Sequence, residues 1–337
     1  MGEKMPEFQR PEPRILGSAS SEIKEKMKKS ILDNFGEAHY DQLTEKEQEI
    51  IKSKEKPKEQ YELAAIESSN KITNKLLEEF GLVEFDIPAQ NIHILPEEIY
   101  KEAIREPSIA AATKQREQVI ILNADAITRP LDRVTTIFHE MVHLKNYISL
   151  EAAEGLRGLR RSGLNIYTTE AKEEKTGGFN AFRGLNEAVV SEMEKMYSLE
   201  LQKGNPFLKE EYAREMSTEA IQKRVRIAEA NNIDVNEICS VGEDGRRFSV
   251  FPYRSQRKVL NYVVDALYAD NENAFESRDE VMKLFFKAHF DGNIVPIARS
   301  IEKTFGKGSF RILGMMDDMA ANSANMVMDY LAKHKKK

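Results

Sequence analysis

One string has the residue types and the spacing for chemistry: Thr136-Ile137-Phe138-His139-Glu140-Met141-Val142-His143-Leu144. On a helix, positions four apart lie one above the other. His139 and His143 can therefore direct both imidazoles at one ion. Glu140 stands one step round, where it can touch a water beside the metal without itself binding the metal. That arrangement suits metal-assisted hydrolysis with Glu140 as general base. The ion lowers the pKa of its water to about 7, and a carboxylate takes the proton as the water attacks a carbonyl. The HExxH string is short and also occurs on helices that bind nothing. Here the flanks weigh against coincidence. Ile137, Phe138, Met141, Val142 and Leu144 are apolar, so the helix is expected to be buried. Burying a glutamate and two histidines costs several kcal/mol unless they are paired or bind a metal. Lys145 departs from the apolar pattern.

A catalytic zinc takes a third protein ligand and keeps one position open. The extended HExxHxxGxxH pattern is absent, because Asn146 and Ser149 stand where its glycine and third histidine would be. After His143 the next histidine is His289, and no aspartate lies between Asp132 and Asp234. A glutamate remains. Glu151 and Glu154 follow the helix too closely to fold back, and Glu170, Glu173 and Glu174 sit in a polar, Lys-bearing stretch. Glu187, Glu192 and Glu194 lie further on, and Glu187 begins an apolar run, Ala188-Val189-Val190. It is the expected third ligand, although a carboxylate near a helix start is also favoured by the dipole alone.

HExxH followed by a helix bearing Asn186-Glu187-Ala188 resembles the gluzincin zinc peptidases, over residues 90 to 195. The resemblance implies a zincin-like catalytic core in which His139, His143 and Glu187 bind Zn2+ and Glu140 is the base. Some gluzincins carry an aspartate four residues after the ligand glutamate; here that position is Ser191. The resemblance also implies that the strand from Gln118 to Leu122 is an edge strand to which an extended substrate adds. A Tyr, His or Arg must face the developing oxyanion, and Tyr253 and Tyr167 are the candidates. His93 and His289 read as structural.

These residues need elements to hold them. Asn91 to Pro96 reads as a short strand stopped by the proline, and Glu117 to Asn123, with four consecutive apolar residues, as a stronger one. Thr128 to Asp132 reads as a helix start, with Pro130 in the first turn and Asp132 at the positive end of the dipole. That helix is expected to run from 130 to 149. Two short strands around a polar loop follow, then a helix from 184 to 201. Beyond Gly204 the pattern is mostly helical, clearest over 253–269 and 280–290. Residues 1–20 carry Pro6, Pro11 and Pro13 and read as an extended, mobile tail. Residues 21–80 read as charged, solvated helices broken near Pro57. The expected fold is α+β: a zincin-like core over 81–203 with a small mixed sheet and active-site helix. A charged helical region over 1–80 precedes it, and a mainly helical domain over 204–337 follows.

Composition bounds the partners. The 337 residues carry a net charge of −6, so no basic excess points to nucleic acid or anionic lipid. Cys239 is the one cysteine, which excludes an internal disulfide and a Cys-rich zinc site. There is no apolar run of signal-peptide length, and Pro6 stands where a myristoylation signal has Ser or Thr. The expected setting is cytoplasmic, and the expected partner a peptide or protein substrate. Two other readings stay open: a binding or scaffold protein on the same frame with a structural or vestigial metal, and a zinc hydrolase acting on a non-peptide bond.

Overall fold

The structure is a computed structural model that describes residues 10–33, 49, 53–103, 110–153, 156–167, 180–242, 247–271 and 274–335. The architecture is mixed α and β, with twelve helices and three small sheets among the described residues. The chain forms two compact units, each drawn from separated stretches of sequence.

The first unit contains residues 1–13, 20–145 and 196–250. Its helices include α1 (Ser21–Asp33), α2 (Gln60–Glu79), α3 (Glu97–Ala103) and α4 (Pro130–Leu144). Its main sheet has strands β2 (Ile92–Leu95), β3 (Ala111–Lys114) and β4 (Val119–Asn123). Their order is β2-β4-β3, with β2 parallel and β3 antiparallel to β4. All five residues of β4 are buried. The strand read as a substrate-pairing edge is therefore the central one, and β3 is an edge. Four consecutive apolar residues are the mark of a strand covered on both faces rather than of an exposed edge.

Helix α4 packs on α2, β3 and β4. Pro130 opens it and Asp132 lies in its first turn. It stops at Leu144, earlier than expected. Lys145 is its C-cap, and Ile148–Ala153 instead pairs with a later strand. The apolar residues Ile148 and Leu150 continue a helix-like spacing, but their backbone forms a sheet ladder.

Helix α2 corrects the reading of the N-terminal region as solvated. It buries Tyr61, Ala65, Ile66, Ile72, Leu76 and Leu77, which recur at helical spacing between the charges. It also buries Glu62, which accepts a 2.8 Å bond from Arg133 Nη1 of α4. Arg133 Nη2 donates to the carbonyls of Ala124, at 2.7 Å, and Ile127. The ion pair thus ties α2, α4 and the loop after β4 together.

The second unit contains residues 14–19, 146–195 and 251–337. Its sheet has strands β1 (Arg14–Leu16), β5 (Ile148–Ala153), β6 (Leu156–Ser162), β7 (Asn165–Tyr167) and β8 (Asn180–Ala181), in that order. β1 runs parallel to β5, and the other pairs are antiparallel. The expected mobile tail thus contributes a strand, and Arg10 just before it is only 6% exposed. Helix α5 (Arg183–Gly204) begins in this unit and belongs to the first from Met196 onward. The helices that follow in the first unit are α6 (Lys209–Glu215) and α7 (Thr218–Asn231), with a hairpin of β9 (Ile238–Val241) and β10 (Phe248–Val250). Those of the second unit are α8 (Arg254–Asp270), α9 (Arg278–Asp291), α10 (Val295–Phe305), α11 (Ser309–Leu313) and α12 (Ala321–His334). No described helix is long and apolar enough to cross a membrane.

Candidate metal centre

His139 and His143 lie one turn apart on α4, and their Nε2 atoms are 3.2 Å apart. Two ligands about 2.0–2.1 Å from a tetrahedral ion are roughly 3.3 Å apart. The two imidazoles thus already stand at the separation that a shared ion requires. Their rings meet edge on, with centroids 4.9 Å apart. Glu187 completes the group: His139, His143 and Glu187 each offer a ligand atom, and these atoms all lie within 4.8 Å of one another. Two neutral nitrogens and one carboxylate oxygen form a donor set that suits a divalent ion such as zinc.

Glu140 is 8% exposed, as is His139. Its carboxylate is engaged by β3. The Thr113 hydroxyl lies 2.7 Å from Glu140 Oε2 and 3.0 Å from the Glu140 carbonyl oxygen, so its one proton can go to either. A second residue after β3 reaches the same helix: Gln115 Nε2 donates to the His143 carbonyl. Neither Thr113 nor Gln115 was readable as a site residue. Ala-Ala-Thr-Lys has no apolar alternation to mark a strand, and Thr-Lys-Gln-Arg-Glu reads as a polar loop.

The residue before Glu187 explains part of its position. Asn186 Oδ1 accepts from the Leu164 amide at 2.9 Å and lies 3.1 Å from His289 Nδ1. Asn186 therefore joins the first turn of α5 to the β6–β7 turn and to α9. His289 is fully buried in this role. Leu185, Ala188, Val189 and Val190 are buried around Glu187, as the apolar run requires. His93 is buried with Nδ1 3.1 Å from Glu55 Oε2. Glu192 faces away from such a site: it accepts from Arg257 Nη1 at 3.2 Å and Asn261 Nδ2 at 2.8 Å.

Tyr167 ends β7. Burial pushes its hydroxyl pKa up; the nearby Arg183 guanidinium opposes this, and the Glu187 carboxylate adds to it. Tyr167 is thus in electrostatic reach of Glu187. So is Asp318, which accepts a 2.8 Å bond from Arg183 Nε. Burial raises the Asp318 carboxyl to about 6, against the pull of Arg183. Tyr253 is the N-cap of α8, with φ of 54° in the left-handed region.

Lys145, the departure from the apolar pattern, is 2% exposed. Its ammonium donates to Asn74 Oδ1 at 2.7 Å and lies 5.3 Å from the Phe85 ring centroid. Burial lowers its pKa to about 7, against the pull of Asp86 and Glu84. Its aliphatic stem continues the buried surface of α4, with the charge discouraged rather than solvated.

No protein-family model matches the chain, no curated protein matches it, and no solved structure matches it.

Proposed function

We propose that the chain is a zinc-dependent hydrolase of the gluzincin type, with a zincin-like core, and that it cleaves peptide bonds. One observation carries the reading: the ligand atoms of His139, His143 and Glu187 converge within 4.8 Å, with an HExxH glutamate alongside. Zinc held there would polarise the scissile carbonyl and acidify a water. The remaining work falls to the chain. Glu140 accepts the proton of that water and returns it to the leaving nitrogen, the usual double duty of a general base. When the Thr113 hydroxyl donates to Oε2, the shorter of its two contacts, Oε1 is left to take the proton. β3, an edge of its sheet among the described residues, is the strand to which an extended peptide would add, so that main-chain bonds supply affinity. Tyr167, near Glu187, is the candidate donor to the oxyanion.

The test is metal content and peptide cleavage on the purified chain. The reading expects one zinc per chain, lost in His139→Ala. It expects Glu140→Gln to keep the zinc and lose cleavage of a peptide library. Zinc uptake unchanged by His139→Ala would remove the metal centre from consideration. Zinc bound by wild type with no cleavage of any peptide would favour the scaffold reading.

A further inference from the structure

The last carbonyls of a helix have no amide of their own helix to pair with. On α4 two of these belong to His143 and Leu144, and side chains from elsewhere in the first unit occupy both. Gln115 Nε2 donates to the His143 carbonyl. Arg10 Nη1 donates to the Leu144 carbonyl at 2.6 Å and to Gln118 Oε1. Gln118 Nε2 donates in turn to the Gln115 carbonyl. One unbroken chain of bonds therefore runs from Arg10 through Gln118 and Gln115 to the backbone of His143.

Two features mark this chain as built. Gln118 is fully buried with φ of 57°, in the left-handed region. That conformation costs a residue other than glycine about 1–2 kcal/mol and persists where its surroundings over-determine it. The Asn91 amide donates to the Gln118 carbonyl at 2.8 Å and helps to hold it. Arg10 is 6% exposed, with its guanidinium 5.7 Å from the Phe85 ring centroid. A cation there also complements the negative end of the α4 dipole.

We infer that Arg10 is a positioning residue for the metal centre: through Gln118 and Gln115 it fixes the His143 backbone, and hence the imidazole that α4 offers to an ion. The inference rests on the reading of His143 as a ligand. It gives Arg10, a few residues before β1, a definite role as part of the frame of the site.

The test uses the full chain with three variants, Arg10→Ala, Arg10→Lys and Gln118→Gly. Three quantities are measured: Co2+ affinity by competition with a chromophoric chelator, the visible spectrum of bound Co2+, and the carbonyl 13C shift of His143 in the metal-free protein. Groups behind a ligand change metal affinity by about 10–100-fold. Arg10 acts through a backbone carbonyl, so Arg10→Ala should weaken Co2+ binding by about tenfold, displace the visible bands and move the His143 carbonyl signal. Arg10→Lys should restore part of each, because it keeps a cation and a donor. Gln118→Gly relieves the strained φ, which offsets about 1–2 kcal/mol of what its lost buried bonds cost, so it should weaken Co2+ binding as much as Arg10→Ala with a smaller loss of thermal stability. A merely structural role would not separate those two. Wild-type affinity and an unmoved carbonyl signal in Arg10→Ala and Gln118→Gly would overturn the inference. If the wild-type chain takes up no Co2+, the metal reading fails by itself. The carbonyl signal then decides: moved by Arg10→Ala it supports positioning, and unmoved it overturns it.

Discussion

The Thr113 hydroxyl lies 2.7 Å from Oε2 of Glu140, and it comes from an edge strand of the sheet packed on α4. A general base works only when its free oxygen is aimed at the water, and Thr113 is what restrains the carboxylate. Thr113→Val keeps the shape and removes the hydroxyl. It should lower kcat on a peptide substrate on the order of tenfold with KM little changed, the cost of a slightly misplaced group. Thr113→Ser should recover most of the rate. Steady-state kinetics on one peptide decide the matter: an unchanged kcat in Thr113→Val would leave Glu140 oriented by something else.

Lys145 predicts a pH dependence of stability. Its folded pKa is lowered by burial to about 7 from the ordinary lysine value of about 10.5. Between those values the unfolded chain binds a proton that the folded chain does not. Stability from this group therefore rises with pH across that window, by up to about 1.4 kcal/mol per pH unit. Below pH 7 both states are protonated and the cost of burying the cation is fully present. Lys145→Met should raise stability most at pH 6 and least near pH 10. Urea titrations at several pH values would measure it; a pH-independent difference between the two proteins would contradict the lowered pKa.

Gly163 predicts a steric coupling to Glu187, the proposed third ligand. Its φ is 56°, and a Cβ there would stand 2.6 Å from both Asn186 Oδ1 and His289 Nδ1. Gly163→Ala should cost about 1–3 kcal/mol by overpacking. It should also weaken metal binding, because Asn186 precedes Glu187 and anchors that turn of α5. Gly158→Ala is the control, since a Cβ there meets nothing within 4 Å. Denaturant midpoints and chelator competition on both variants should separate them. Equal behaviour of the two would show that the Asn186 anchor does not position Glu187.

The grouping of His139 and His143 with Glu187 was legible in part because residue type and a period of 3.6 are local properties of sequence. Exclusion did the rest, since no histidine and no aspartate offered a nearer third ligand. The features not legible in the sequence depend on distant partners. β1 exists because β5 lies beside it, and Ile148 and Leu150 look helical until β6 pairs with them. Thr113 and Gln115 lie in a polar stretch whose meaning appears only when α4 packs against it. The buried face of α2 was hidden by its lysines and glutamates. Composition averages over the helix, whereas Tyr61, Ala65, Ile72 and Leu76 line one side of it.

That buried side of α2 leads to a test of how α4 is held. Glu62 has a 1% exposed side chain and pairs with Arg133, whose side chain is 10% exposed. Glu62 also accepts from the Glu59 amide at 2.7 Å and from the Tyr61 hydroxyl at 3.2 Å. Removing one partner strands a buried charge, and such losses run to about 3–5 kcal/mol. Glu62→Ala should therefore destabilise the chain by that order. Glu62→Gln, which keeps an acceptor, should cost less. Replacing both by Met removes the charges together and should recover much of the loss, because a buried pair often adds little beyond what packed apolar groups supply. A surface pair would behave otherwise, with single variants costing about 1 kcal/mol or less. Arg133 lies in the first half of α4, ahead of His139. Glu62→Ala should also weaken metal binding, if α4 is seated through this pair. Urea unfolding of the three variants measures the pair, and a loss below about 1 kcal/mol in Glu62→Ala would show that α2 is not the buried support of the HExxH helix.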